Sequence, residues 1–195
     1  MNPLTSYVVL LRGINVGGKN KIPMAGLKQL LEEMGFEDVA TYIQSGNALL
    51  RSRLSAKTVG QRIEQKLGAT FTLDSSLIKV LALSREQLQA MVDKRPKGFG
   101  DQPGKFHSDA IFLMGIKAAE ALPAFSPLEG VDTIWPGEGV IYSQRLSAQR
   151  TKSRLNRMMA SPMYQSMTIR SWTTTMKLLE LIGGAAPPDR ATRGG

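Results

Sequence analysis

The order of apolar patterns along the chain is the feature that most restricts its fold. Tyr7–Leu11 is a continuous β-prone run, followed by an amphipathic helical pattern, two short β-prone segments, a second helical pattern and a fourth β-prone run. This β-α-β-β-α-β order belongs to the ferredoxin-like fold, in which two helices cover one face of an antiparallel sheet. The same order returns after residue 107. We therefore predict an α+β fold of two ferredoxin-like halves with antiparallel sheets, each followed by an extra helix.

The first half is predicted to span residues 1–97. Two of its strands, Asp38–Ile43 and Ala48–Ser52, are separated by Gln44–Asn47. This separator indicates a hairpin turn, because Gly46 and Asn47 are residue types that tolerate positive φ. The other predicted elements are a helix from Pro23 to Gly35, a helix from Ser55 to Gly68, a strand at Leu77–Leu83 and a helix from Ser84, whose spacing to Gln87 matches a capping box.

The second half is predicted to span residues 108–183, after a linker at 98–107 and before a flexible tail at 184–195. Pro96–Lys105 contains two prolines and three glycines, which interrupt both periodicities. The predicted elements are strands at Ser108–Met114, Asp132–Trp135, Val140–Ser143 and Met167–Arg170, and helices at Ala118–Leu122, Ser153–Ala160 and Trp172–Ile182. Because no residue-level identity links the halves, internal duplication is inferred from element order and hairpin position alone.

The residue composition excludes several classes of chemistry. The chain has no cysteine, which rules out disulfides, zinc–cysteine sites, iron–sulfur clusters and thiol catalysis. Met1–Ser6 lacks the basic and apolar regions of a signal peptide, and no apolar run approaches the roughly 20 residues that cross a bilayer. We therefore expect a cytoplasmic protein with no membrane partner.

The chain is strongly basic. Lys and Arg number 25 against 16 Asp and Glu, which gives a net charge of +9. This charge favours an anionic partner such as nucleic acid, although many basic proteins carry it only as a solvated surface. Arg150, Arg154 and Arg157 have helical spacing and predict one basic stripe, with a solvated helix face as the alternative. Arg170 and Lys177 complete this secondary basic patch.

Two polar segments are predicted to meet at one end of the first sheet. The first two strands run the same way in this topology, so Arg12–Asn20 and Gln44–Asn47 emerge together. Exposed backbone amides of a glycine-rich loop can approach an anion closely, helped by an adjacent lysine. The candidate ligand-binding residues are Arg12, Asn15, Gly17, Gly18, Lys19, Gln44, Ser45, Gly46 and Asn47. The alternative is that both segments serve only as turns.

Known catalytic patterns find little support in these residues. Gly13–Lys19 has the spacing of a Walker A loop, but Asn20 stands where a magnesium-binding Ser or Thr is required. His107, the sole histidine, is predicted to be a surface residue rather than a catalytic base. No metal site, cofactor or catalytic residue follows from the sequence. Tyr7–Leu11 is apolar on both faces, so either the other half or a second subunit of a homo-oligomer must cover the outer face.

Three segments together resemble one protein family. Leu11–Gly18, Thr41–Asn47 and Thr168–Thr173 are similar to a bacterial family known only as a domain of unknown function, and the match spans nearly the whole chain. The third segment departs from the family pattern, with Ser171 where Asn is expected before Trp172, a change that keeps a helix cap. The resemblance implies two related α+β halves and a cytoplasmic setting, and it implies no established activity, substrate or cofactor.

Three hypotheses about function follow. The first is binding of an anionic ligand, with nucleic acid as one version, at the paired loops of the first half. The second is an enzyme that acts on a small phosphorylated or carboxylated metabolite at the same amide-rich end. The third is a protein–protein interaction module in which the loops are turns alone.

Overall fold

The computed structural model describes residues 3–74 and 78–184. The elements of the first ferredoxin-like half are β1 (Thr5–Arg12), α1 (Met24–Glu33), β2 (Glu37–Tyr42), β3 (Asn47–Ser52), α2 (Ala56–Thr70), β4 (Lys79–Ser84) and α3 (Arg85–Asp93). Those of the second are β5 (Phe106–Leu113), α4 (Ala118–Ala121), β6 (Asp132–Pro136), β7 (Val140–Leu146), α5 (Leu155–Met159), β8 (Met167–Ser171) and α6 (Trp172–Gly183). The end of the predicted strand Leu77–Leu83 and the predicted tail from 185 onward lie outside the described residues.

The two sheets have the same topology. Strand order is β2-β3-β1-β4 in the first and β6-β7-β5-β8 in the second, and every neighbouring pair is antiparallel. This is the ferredoxin-like order, so the predicted α+β fold class is confirmed. The described chain forms two compact units, one with the residues up to Leu88 and from Leu178 onward, the other from Gln89 to Lys177. We call them unit 1 and unit 2; the division falls within α3 and within α6.

Strand β1 is the centre of unit 1. Tyr7, Val9 and Leu11 join a buried apolar cluster with residues of the two helices, among them Leu27 of α1 and Ile63 of α2. The alternate residues Val8 and Leu10 are 0% exposed as well. Both faces of β1 are therefore buried within a single chain, and this burial needs no second copy.

Unit 2 has a corresponding core. Ile111 of β5 and Ile141 of β7 lie in a buried cluster with Leu155 and Met158 of α5. The stretch predicted as a linker also contributes to packing, since Phe99 is 0% exposed. Its ring makes edge contacts with Trp135, Tyr142 and Trp172, at centroid distances of 6.0, 5.2 and 5.0 Å. Such edge-to-face pairs are favoured by the ring quadrupoles.

Side-chain caps define several helix starts as the sequence indicated. Ser55 caps α2 by accepting a hydrogen bond from the Thr58 N–H at 3.2 Å. The capping box before α3 is present, because Ser84 N–H donates to Gln87 Oε1 and Gln87 N–H donates to Ser84 Oγ, at 2.9 and 3.2 Å. Ser171 caps α6 by accepting from Thr174 N–H at 3.1 Å.

The hairpin between β2 and β3 differs from the prediction by one residue. Strand β2 ends at Tyr42, the turn is residues 43–46, and Asn47 lies in β3 with none of its surface exposed. Gly46 has φ 79°, as expected, but the second positive φ belongs to Ile43, at 50°. The shift follows from Asn47, whose Nδ2 donates to Tyr42 O and Ser45 Oγ and so closes the turn from inside the strand.

The predicted basic helical stripe is wrong. Helical spacing assumed one helix through Arg150, Arg154 and Arg157, but residues 147–152 form a 3₁₀ helix and α5 begins only at Leu155. Ser153 between them is extended, with φ −56° and ψ 140°. The three arginines therefore lie on different elements and do not share one helix face.

We predict that Gly60→Ala destabilises the protein by about 1–3 kcal/mol, as overpacking does. Gly60 lies on the buried side of α2, where an added Cβ would stand 2.8 Å from the backbone oxygen of Val80. Gly68→Ala in the same helix is the matched control, because a Cβ there meets nothing within 4 Å. That variant should gain up to about 1 kcal/mol from helix propensity. Urea unfolding of both variants checks the prediction, and equal effects would contradict it.

Candidate functional site

The loop after β1 and the turn after β2 contact each other. Leu11 N–H donates to Gly46 O at 2.8 Å, and Asn15 Nδ2 donates to Gln44 O at 3.0 Å. The contact is possible because β1 and β2 both pair antiparallel with β3 and so run in the same direction. We call residues 13–23 and 43–46 the loop cluster.

The carboxamide of Asn15 holds the loop cluster together. Its Oδ1 accepts from Ile22 N–H at 2.8 Å, while its Nδ2 donates to Ile22 O and Gln44 O, both at 3.0 Å. One side chain thus closes its own loop and joins it to the turn. Asn15 was predicted to touch a ligand, but its hydrogen-bonding atoms are used by the backbone.

Two more asparagines fix the same backbone from inside. Asn20, which is 5% exposed, donates from Nδ2 to Gly13 O at 2.8 Å, and its N–H donates to Asp74 Oδ2 at 2.6 Å. Asn47 closes the turn as described above. Asn20 has φ 47° and Asn15 has φ 54°, a region that asparagine enters more readily than other side chains. Sequence reasoning missed the part played by Asn20 and Asp74.

The tip of the loop after β1 is a two-residue hairpin. Lys19 N–H donates to Val16 O at 3.0 Å, and Gly17 and Gly18 between them have φ 60° and 77°. Two positive φ angles are the requirement of the primed turns that join antiparallel strands tightly. No hydrogen bond within the described residues uses the N–H of Gly17 or Gly18, and both glycines and Lys19 are exposed.

Two apolar side chains stand at the surface of the loop cluster. Val16 is 68% exposed and Ile43 is 49% exposed. Each lies next in sequence to a residue of the Asn15–Gln44 hydrogen bond. A β-branched residue at φ 50° is a genuine outlier that costs on the order of 1–3 kcal/mol. The fold therefore keeps an apolar side chain exposed in a conformation that opposes it.

The remaining predicted residues of this end divide into buried and exposed ones. Gly46 is buried, and a Cβ there would stand 2.9 Å from the side chain of Ile14, so its role is explained by packing. Gln44 and Ser45 are exposed, and Arg12 is half-buried at the end of β1. We call Val16–Lys19 with Ile43–Ser45 the exposed tip.

The secondary basic patch is not one surface. Arg170 is only 7% exposed, and its Nη1 donates to Thr168 Oγ1 and Ile169 O at 2.9 and 2.8 Å. Burial lowers the pKa of Arg170 to about 10. Lys177 is half-buried in α6, and Arg154 is half-buried before α5, whereas Arg150 and Arg157 are exposed. Arg170 is thus an interior residue, contrary to the expectation.

Unit 2 contains a polar cluster that sequence reasoning missed. Asp109 is 4% exposed, with Oδ2 2.6 Å from Arg145 Nη2 and Oδ1 3.3 Å from His107 Nε2. His107 therefore contacts a buried carboxylate rather than solvent alone. The available signal was period-two spacing: His107 and Asp109 alternate along β5 and pair with Arg145 and Ser143 of β7.

Asp132 on β6 belongs to the same region. Its Oδ2 accepts from the N–H groups of Leu128 and Arg154 at 3.0 and 2.9 Å. Burial pushes the pKa of Asp132 upward, but the bonds from Arg154 and Leu128, with Ser153 and the charge of Arg145, outweigh it and lower the pKa overall. Asp132 is therefore a carboxylate at neutral pH.

Two classes of feature are absent from residues 3–74 and 78–184. Nowhere in these ranges do three or more His, Asp or Glu side chains form a group able to hold a metal ion. No helix there has both the length and the apolar character needed to cross a membrane.

We predict that Asn15→Ala lowers stability by more than about 1 kcal/mol, since it leaves the polar groups of Ile22 and Gln44 without their partner. Gln44→Ala is the control, because Asn15 contacts only the main-chain oxygen of Gln44. Thermal unfolding should show a clear loss for the first variant and a change within about 0.5 kcal/mol for the second. Similar values for both would contradict the role assigned to Asn15.

We also predict that Asp132 makes the protein acid-sensitive. A carboxylate whose pKa is lowered on folding stabilises the folded state above its unfolded-state pKa, and this contribution is lost as pH falls through the folded pKa. Asp132→Asn should therefore lower the unfolding midpoint at neutral pH, with a gap to the wild type that narrows towards acid pH. A gap that is independent of pH would be inconsistent with this sign.

Comparisons with known proteins agree with this fold. The conserved bacterial protein SP0830 from Streptococcus pneumoniae has 25% sequence identity to this chain and a TM-score of 0.72, and the match covers 92% of this chain and 99% of that one. No curated protein matches the chain. The model of the family described as proteins of unknown function, DUF1697, matches residues 4–142, a span that contains the whole loop cluster. Because this span is more than half of the chain, the protein belongs to the DUF1697 family.

Proposed function

We propose that this protein binds nucleic acid through the exposed tip. The observation that carries the proposal is the combination found there: the N–H groups of Gly17 and Gly18 without partners within the described residues, Lys19 beside them, and the apolar Val16 and Ile43 at the surface. Phosphate oxygens suit the first two features, and sugar and base surfaces suit the third.

The rigidity of the loop cluster supports an anion-binding role. Asn15, Asn20 and Asn47 fix the backbone from inside, so the Gly17 and Gly18 amides are oriented before a ligand arrives. Preorganised donors lose little conformational entropy on binding. The net charge of +9 adds attraction towards a polyanion.

A polymer fits this surface better than a small metabolite does. A free phosphate held by Lys19 and the glycine amides would leave Val16 and Ile43 in water, at 68% and 49% exposure. An extended strand would cover them as well, and burial contributes about 25 cal/mol per Å² of apolar surface. This observation favours binding of an anionic macromolecule over the enzyme hypothesis.

We extend the proposal to the setting and origin of the fold. The two halves share one strand order, which supports an internal duplication in which only the first copy acquired the loop cluster. Binding of nucleic acid is consistent with a cytoplasmic setting, which we infer with it.

The test is fluorescence anisotropy with labelled single-stranded and duplex oligonucleotides at low and at moderate salt. We expect measurable binding at low salt that weakens steeply as salt rises, since counterions are released from the phosphates. Lys19→Ala should weaken binding and lower the salt slope by about one. The matched control is Lys66→Ala, an exposed lysine on α2 that removes the same charge elsewhere. Equal losses from both variants, or no binding at low salt, would overturn the proposal.

We predict that Ile43→Asn separates stability from binding. Asparagine adopts positive φ more readily than a β-branched residue, so the melting temperature should be retained or should rise. Affinity for the oligonucleotide should fall at the same time, because the exposed apolar contact is lost. Circular dichroism melting together with the anisotropy assay measures both, and unchanged affinity would contradict a role for Ile43 in binding.

A further inference from the structure

We infer a second binding site in unit 2, one that takes a small neutral molecule with a hydroxyl or carboxamide head. The site is a pocket with an empty volume of about 200 Å³ where β6 and β7 meet the start of α5. Its polar lining includes Asp132, Ser143 and Arg154, and its apolar lining includes Phe125, Ile134 and Leu155. It is independent of the loop cluster, which lies in unit 1.

Buried polar atoms without partners mark this pocket as a site. Ser143 is 1% exposed, and neither its Oγ nor Asp132 Oδ1 has a hydrogen-bond partner among the described residues. Most buried polar groups in proteins are paired, so unpaired ones require an explanation. Both residues line the pocket, and a bound molecule that hydrogen-bonds to them supplies that explanation.

The chemistry of these atoms selects the ligand. Asp132 is ionised and its Oδ2 already accepts two N–H groups, so Oδ1 needs a donor. Arg145, which pairs with Asp132 across β6 and β7, has a buried Nε without a partner that can only donate. Ser143 Oγ can do either. One group that both donates and accepts, as a hydroxyl or a carboxamide does, therefore fits all three atoms.

Charge argues against ionic ligands at this position. An anion would meet the carboxylate of Asp132, whereas an ammonium group would meet the guanidinium groups of Arg154 and Arg145, and like charges in a partly buried site repel strongly. The volume is below the roughly 300 Å³ at which pockets for drug-sized molecules begin. A head of a few polar atoms with a short apolar body, packed against Phe125, Ile134 and Leu155, is the class that remains.

The test uses three probes of one shape. Isobutyramide is neutral, isobutyrate is its anionic counterpart and isobutylamine its cationic one. Methyl-labelled NMR of the full chain should show saturable shifts at Ile134 and Leu155 with isobutyramide, in the millimolar range, and at least tenfold weaker effects with either charged probe. No saturable shift with isobutyramide, which is the result if water alone occupies the pocket, overturns the inference, as does equal binding of all three probes.

A pair of serine variants distinguishes a ligand site from a packing defect. Ser143→Ala should weaken isobutyramide binding severalfold while the free protein keeps or gains stability, because the variant removes an unpaired buried hydroxyl. Ser108→Ala is the matched control. Its hydroxyl is also buried and unpaired, but Ser108 is absent from the pocket lining and alternates with Asp109 to the other face of β5. Equal isobutyramide affinity in the wild type and Ser143→Ala would overturn the inference.

Discussion

The burial of β1 on both faces is the constraint from which the rest of unit 1 follows. Five consecutive residues, Tyr7–Leu11, are at most 5% exposed. A strand buried on both sides must occupy the interior of its sheet, and β1 pairs with β3 on one edge and β4 on the other. That central place makes β2 parallel to β1 with β3 between them. The loops that follow β1 and β2 are thereby brought to one end, where the loop cluster forms.

Within that cluster, the three asparagines and the exposed tip have different physical roles. Asn15, Asn20 and Asn47 turn inward and replace the regular ladder that irregular backbone lacks, so each amide satisfies main-chain groups. Val16 and Ile43 turn outward and leave apolar surface in water. A signature rich in Gly and Asn therefore mixes residues that shape the loops with residues available to a partner.

Sequence patterns predicted the regular elements well, and they failed where side chains replaced them. Alternation and helical spacing identified both sheets, and the reciprocal bonds of Ser84 and Gln87 were readable from spacing. The basic stripe failed because periodicity cannot detect the extended Ser153 that divides two short helices. The cluster around Asp109 escaped because its members are far apart in sequence and meet only through the pairing of β5 and β7. The assignment of Asn15 as a ligand contact failed for a related reason, since its partners are backbone atoms.

The membership of α6 in both units has a consequence for the order in which the protein is made. Leu178, Leu179 and Ile182 are buried in unit 1, yet Gln89–Lys177 intervene between them and Leu88. At the usual rate of translation, the 89 residues of that interval take on the order of ten seconds to synthesise. During this time the first sheet can form its strand pairs but lacks those apolar side chains. Unit 1 is therefore the first to begin folding on the ribosome and the last to be completed.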